Sequence, residues 1–333
     1  MSRIDLLTRR RSLWLMGGFA GGIALHGCTQ STATPSGNAP LTSGVSPWPG
    51  YAGHYVALKK DFFKEAGVNA QEVYFQTASD LITGFLAEKA EVSWITSGDA
   101  IQAAQKDPTV RIIYVVDYSN GADGIIGRGI KTPADLKGKT VARENLLFEN
   151  VLLRAYLAKG GLTESDIQIK DMTAGDAATA FAAKQVDAAV TYEPWLSKAS
   201  KQGDGEILFT TKDTNLIADV IATRQKVIET RKPELQAYLK AIDKGVKLVN
   251  SGNAEAIKIV ADKLAVSVED AKNQISGVKI FDIEMNKSLG FNSSNAKNLI
   301  KNLELNVNAG KTMKIVGDTK IDALYDASIV RSL

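Results

Sequence analysis

From Trp48 onward the chain alternates short apolar runs with amphipathic stretches of helical period, and this alternation restricts its fold more than any other feature. The pattern predicts helix over residues 55–66, closed by Gly67, then strand over 73–76, helix over 79–88, strand over 92–95, helix over 98–105 and strand over 111–116. Such βαβα order predicts an α/β domain with a mostly parallel sheet. A second round follows: strand over 124–128 and 140–142, helix over 149–159, strand over 167–171, helix over 176–184, and strands over 188–191 and 220–224. Beyond Lys232-Pro233 the pattern is helical, over 234–250, 254–264, 267–276 and 294–305, with no repeat at a solenoid period.

Ahead of this lies a leader. Arg3, Arg9, Arg10 and Arg11 precede a Gly-rich apolar run from Leu13 to Leu25, and Leu25-His26-Gly27-Cys28 follows. A basic region, a short apolar core and a small-residue cleavage site mark residues 1–28 as an export signal too short to span a bilayer. Cys28, the one cysteine of the chain, resembles the acylated cysteine of a bacterial lipobox, although His26 is an unusual occupant of its slot. The alternative is a plain secretory peptide with an incidental cysteine. Thr8-Arg9-Arg10-Arg11 also carries a weak twin-arginine pattern. Residues 29–46 are rich in Ser, Thr, Pro, Gly and Asn and read as a flexible tether.

Removing residues 1–27 lowers Lys+Arg from 40 to 36 and Asp+Glu from 37 to 36, so the basicity belongs to the leader. A nucleic-acid footprint is not supported. With Cys28 and His54 as the remaining cysteine and histidine, a zinc cluster is excluded, and a Ser-His-Asp triad would have to rest on His54 alone. No GxxxxGK[ST] phosphate loop is present.

Five strings in order carry a family resemblance. They are Trp48-Pro49-Gly50-Tyr51, Phe62-Phe63-Lys64-Glu65-Ala66-Gly67, Asp117-Tyr118-Ser119-Asn120-Gly121-Ala122-Asp123-Gly124, Asp135-Leu136-Lys137-Gly138-Lys139-Thr140-Val141-Ala142, and Val186-Asp187-Ala188-Ala189-Val190-Thr191-Tyr192-Glu193-Pro194-Trp195. Together they resemble the nitrate/sulfonate/taurine-type solute-binding proteins of ABC importers, from about Trp48 to Arg224. The resemblance implies a type II periplasmic-binding-protein fold: two α/β lobes joined by two crossing strands, near 124–128 and 220–224, with a helical C-terminal third. Residues 47–128 and 223–333 would form lobe 1 and residues 129–222 lobe 2. It further implies a periplasmic, lipid-anchored monomer that is not an enzyme, needs no cofactor or metal, and delivers a small-molecule solute to permease and ATPase subunits. No nucleic-acid partner is expected.

Ligand is then expected between the lobes, near the carboxyl ends of strands. Trp48 and Tyr51 flank a Pro-Gly turn and read as an aromatic wall, or as ordinary core. His54 reads as structural or solvent-facing. Ser97 and Asp99 either face the solute or cap the helix they begin. Asp117 and Asp123 bracket a sharp Asn120-Gly121 turn and either face the cleft or bond their own turn. Glu144 and Glu149 follow the first strand of lobe 2 and either reach the cleft or offset a helix dipole. Tyr192, Glu193 and Trp195 end another strand around Pro194, with Glu193 also a cap candidate, and Asp219 precedes the second crossing. Basic residues at equivalent positions are scarce, Arg143 being the main one. An anion would meet like charge there, whereas a cation gains charge-assisted hydrogen bonds and aromatic faces. A small nitrogen-rich cation, guanidinium or an amine, is therefore expected, with a sulfonate, taurine or a pyrimidine as the alternative. A pyrimidine-synthase-like enzyme lacks its cysteine-rich stretch here, and a transcription-regulator effector domain would need a helix-turn-helix where the leader stands.

Overall fold

The computed structural model describes residues 39–212 and 214–333. The leader with Cys28, and residues 29–38 of the expected tether, lie outside them. The strands are β1 (Leu41–Val45), β2 (Ala70–Tyr74), β3 (Val92–Thr96), β4 (Val110–Ser119), β5 (Asp123–Gly127), β6 (Thr140–Arg143), β7 (Gln168–Asp171), β8 (Ala188–Tyr192), β9 (Glu206–Thr210), β10 (Ala218–Arg224) and β11 (Val278–Ile280). They form two sheets, one ordered β11-β4-β10-β3-β1-β2 and the other β7-β6-β8-β5-β9. In the first sheet β10 runs antiparallel to both β3 and β4, and in the second β5 runs antiparallel to β8 and β9. Each sheet thus receives, as one inner strand, the segment that has just arrived from the other.

Helices cover these sheets: α1 (Ala52–Lys59), α2 (Phe62–Glu65), α3 (Ala78–Leu86), α4 (Ser97–Lys106), α5 (Leu147–Lys159), α6 (Ala174–Ala182), α7 (Trp195–Gln202), α8 (Gln225–Asn250), α9 (Ala254–Leu264), α10 (Val268–Ser276), α11 (Ile283–Met285), α12 (Leu299–Thr312) and α13 (Ser328–Arg331). Caps fix several starts. The hydroxyls of Thr77, Thr96, Thr173 and Ser267 each accept a hydrogen bond from the N–H three residues on, and an Asp stands at that third position each time. In the second sheet neighbouring residues serve opposite faces. Ile125, Val141 and Val190 pack under α5, while Ile126, Ala142 and Ala189 pack under α6 and α7. That is the period-two geometry of a strand covered on both sides.

Four departures from the sequence reading bear on the architecture. Residues 41–45, expected in the tether, form β1, buried and paired in parallel with β2 and β3. Gly44 permits the close packing, since a Cβ there would lie 2.8 Å from Ser93 Oγ. The expected crossings at 124–128 and 220–224 are strands inside the sheets; the chain changes sheet at 120–122 and at 211–217 instead. Those two passages are tied together, with Ser119 Oγ 2.6 Å from Thr211 Oγ1, which also accepts a hydrogen bond from Gly121 N at 3.0 Å. The helix expected from residue 234 begins at Gln225 and bends at Arg231, two residues before Pro233, where proline excludes a regular turn. The helix expected from 294 begins at Leu299, because Asn298 caps it through Lys301 N.

Helices α1 and α8 approach through glycines: a Cβ on Gly245 would lie 2.2 Å from the carbonyl oxygen of Gly53. Overfilling such a contact forces the backbones apart at a cost of about 1–3 kcal/mol. Gly245→Ala should therefore lower the urea midpoint markedly, whereas Gly252→Ala, with no atom within 4 Å, should act only through its φ of +71°.

Candidate functional site

The two sheets meet at their strand ends. From the first sheet come Ser46, Pro47 and Trp48 after β1, Thr96 at the end of β3, and Asp219 near the start of β10. From the second come Asp123, first residue of β5, and Tyr192, last residue of β8, which lie opposite each other in register. With Tyr51, Ala78, Leu81, Trp94, Ile95, Asp99 and Phe148 these residues line a cavity of about 30 Å³, room for about two or three water molecules. The lining holds three carboxylic acids and no Lys, Arg or His.

Aromatic rings wall this space. Trp48 meets Tyr192 edge to face, with centroids 5.9 Å apart, and Tyr51 meets Trp94 at 5.3 Å. Trp48 Nε1 donates to Asp117 Oδ2 at 2.9 Å, which anchors the ring from behind. Gly50 makes the anchor possible, since a Cβ there would overlap Asp117 Oδ2 at 1.8 Å. The Tyr51 hydroxyl is 2.7 Å from the Trp94 carbonyl oxygen and 2.8 Å from Asp219 Oδ1. One hydroxyl proton cannot serve both acceptors, so full satisfaction calls for a proton on Asp219.

The electrostatics point the same way. Asp219 lies opposite both Asp117 and Thr96 in register, so two acids face each other across the ladder. Burial, then the charge of Asp123, pushes Asp219 up to about 8, against the hydrogen bond from Tyr51. Burial pushes Asp99 and Asp123 each to about 7, with Asp219 and Glu144 adding to the first and Glu193 to the second. Burial, with Asp219 beside it, holds Asp117 well above the usual carboxylate range. Asp99 Oδ1, Asp117 Oδ1 and Asp123 Oδ2 are buried with no hydrogen-bond partner among the described residues. Among those residues no group of three or more His, Cys, Asp or Glu is arranged to hold a metal ion, and no helix is long and apolar enough to cross a membrane.

Of the twelve residues singled out from the sequence, Trp48, Tyr51, Asp99, Asp123, Tyr192 and Asp219 line the cavity, and Asp117 stands directly behind Trp48. The other five do not. Ser97 Oγ turns into the core and donates to Asn302 Oδ1, while Thr96 takes the cap that Ser97 was expected to make. Glu193 accepts from Ser197 N and Oγ and so closes the first turn of α7. Trp195 lies on that helix over Gly175, with the Lys198 ammonium 4.6 Å from its ring centre. Glu149 is buried and accepts from Glu144 N at 2.7 Å, and Glu144 bonds to Ser79 and Ala174. Burial, then the Glu144 charge, raises Glu149 well above its ordinary value. Arg143 turns to Asn145 and Asp171. His54 is buried, 3.2 Å from Glu72, and is structural rather than solvent-facing. The sequence reading did not name the other eight lining residues: Trp94, Ile95, Thr96 and Phe148 lie one to three residues from a position it named and Ser46 and Pro47 directly precede Trp48, whereas Ala78 and Leu81 on α3 lie near none.

Comparison with known proteins identifies the lineage. A profile described as "NMT1/THI5 like" matches residues 48–256. The chain belongs to the NMT1/THI5 like family. The "Putative aliphatic sulfonates-binding protein" of Escherichia coli (strain K12) is 32% identical over 138 residues, covering 41% of this chain and 43% of that protein. The protein of the same name in Bacillus subtilis (strain 168) is 26% identical over 207 residues, covering 61% and 62%. The chain thus matches less than two thirds of the length of either relative. The alkanesulfonate-binding protein SsuA from Xanthomonas axonopodis pv. citri, solved bound to MOPS, superposes with a TM-score of 0.73 at 17% identity, covering 86% of this chain and 98% of that one. The architecture of this family member is therefore that of the periplasmic binding proteins.

The raised acids make a pH prediction. Each keeps its proton to higher pH in the folded chain than in the unfolded one, where aspartate titrates near 4. The folded state then binds more protons through this window, so stability is fullest below about pH 4 and is lost as pH rises through 7 to 8. Urea midpoints of the solute-free protein should fall between pH 5 and pH 8.5, and Asp219→Asn should flatten the slope. A midpoint that instead rises over this range would show the acids ionised in place.

Proposed function

We propose that this protein is the solute-capturing component of an ABC importer, and that its solute is a small, planar, nitrogen-rich cation such as guanidinium. In this reading the leader exports the chain, Cys28 carries a lipid anchor in the periplasm, and the two lobes close on the solute before presenting it to the permease. The family, the fold and the names of both curated relatives support a binding protein. The observation that carries the solute class is the cavity itself: three buried acids, aromatic walls and no basic side chain. Buried ionised carboxylates without partners are strongly disfavoured. A guanidinium would supply the missing donors in a planar fork and present its faces to Trp48 and Tyr192.

A second reading, an aliphatic sulfonate, is favoured by the relatives' names. It would seat an anion beside Asp99, Asp123 and Asp219, which oppose it once they ionise: like charges separated by about 4 Å repel by several kcal/mol at an effective dielectric near 20.

A thermal-shift screen of the protein lacking residues 1–28, against guanidinium, methylamine, taurine, methanesulfonate and pyrimidines, discriminates between the readings. At a hundredfold excess over Kd the true solute stabilises the fold by about 2.7 kcal/mol. Guanidinium should raise the midpoint, and more at pH 8 than at pH 6, because binding competes with the protons on the acids. Asp123→Asn and Asp219→Asn should each weaken it by tenfold or more, the loss of about one charged hydrogen bond. Glu193→Gln, whose partner is Ser197, should leave affinity unchanged. A shift with methanesulfonate and none with guanidinium would replace the cationic reading with the sulfonate one.

A further inference from the structure

We propose that Glu144 is the clasp of the cleft, a built-in anion that ties the two lobes together and reserves for itself the helix ends an anionic guest would need. Glu144 follows β6 in the second sheet. Its Oε1 accepts from Ser79 N at 3.2 Å and from Ser79 Oγ at 2.5 Å, and its Oε2 accepts from Ala174 N at 3.2 Å. Ser79 lies in the first turn of α3, which packs on β1 and β3, and Ala174 opens α6, which packs on β6 and β8. One carboxylate therefore joins the positive ends of two helices that belong to different sheets.

The two helices are prepared alike. Thr77 and Thr173 already satisfy the N–H groups of Asp80 and Asp176, which leaves the N–H groups nearer the cap to Glu144. Glu149 Oε2 accepts the Glu144 N–H and fixes the backbone from which the clasp projects. Glu144 is only 5% exposed, so its hydrogen bonds are little screened. An ion pair between α7 and α10, Lys201 to Asp270, has side chains 62% and 29% exposed, and such pairs contribute little. Glu144 is thus a buried polar tie between the lobes, added to the apolar packing of α5 on α4 and α12. This inference goes beyond the nature of the solute: it holds for any guest, and it makes Glu144 a specificity determinant because an anion could take these helix ends only by displacing it.

Small-angle X-ray scattering on the purified, solute-free protein tests this. Glu144→Ala should shift the population toward an extended form and lower the closed-to-open ratio by about tenfold or more, the weight of a charge-assisted hydrogen bond. Glu144→Gln keeps an acceptor but loses the charge and should fall between. Ser79→Ala removes one donor with the carboxylate intact, should open the cleft partially, and decides the matter if the Glu144 variants lose their circular-dichroism signature of a fold. In stopped-flow dilution, guanidinium should leave Glu144→Ala faster than wild type. Scattering curves from Glu144→Ala and Ser79→Ala that superpose on wild type would overturn the clasp. Failure of guanidinium to bind any variant would count against the cationic reading and leave the scattering comparison intact.

Discussion

Four aspartates brought together where two sheets meet, with no Lys, Arg or His among the described lining residues to balance them, set the terms for the rest of this structure. Asp117 and Asp219 face each other across a strand pair, Asp123 enters from the second sheet, and Asp99 sits in the first turn of α4. Taking one ionised carboxylate out of water is costly, and gathering several is more so. The fold answers with protons, seen in the raised acids and in the Tyr51 hydroxyl placed between two acceptors. It keeps the side chains in place with rigid neighbours: Trp48 bonds to Asp117, and Gly50 gives both room. On the proposed reading, such an arrangement favours positive charge, since a guest that carries it relieves the burial cost the acids now meet by holding protons.

The same fold serves relatives named for sulfonates, so on the proposed reading the architecture does not determine the sign of the guest. Helix N-termini at strand ends suit anions by default. In this chain that default is countered twice, by Asp99 in the first turn of α4 and by Glu144 across α3 and α6. Selectivity on this scaffold then lies in a few side chains at the ends of strands, while the sheets, the tied crossings at Ser119 and Thr211 and the α1–α8 glycine contact remain indifferent to it.

Much of this was legible from residue pattern. The alternation of apolar runs with helical stretches predicted two α/β rounds, and six of the fourteen cavity-lining residues, three of them acids, were named in advance. What escaped has physical causes. Leu41–Val45 carries no alternating pattern because both faces of β1 are covered, and its Ser, Thr and Gly resemble a linker. Thr96 and Ser97 are adjacent hydroxyls, and only the helix start decides which one caps and which turns toward Asn302. Glu193 and Glu144 are both acids beyond a strand, yet one closes its own helix and the other spans the cleft. That distinction depends on which element lies opposite, and Ser79 is distant from Glu144 in the chain. The crossings were misplaced because the apolar signal belongs to β5 and β10, the strands each sheet receives, whereas the passages themselves are short and polar.

That last displacement has a consequence for how charge and motion are joined. Asp123 stands at the first residue after one passage and Asp219 two residues after the other, so each acid is fixed to the sheet that its passage enters. Asp123 raises Asp219 by its charge. On the proposed reading, closing the lobes brings these two acids together, and the approach is opposed whenever both are ionised. Either a proton or a cation removes the opposition, and only the cation also supplies donors to the oxygens left without partners. The passages are tied to each other through Ser119 and Thr211, so on this reading a shift of one passage is passed to the other. Closure driven in this way depends on guest charge before it depends on guest shape, and above the pH at which the acids lose their protons a neutral molecule of the same size would fill the cavity without balancing them.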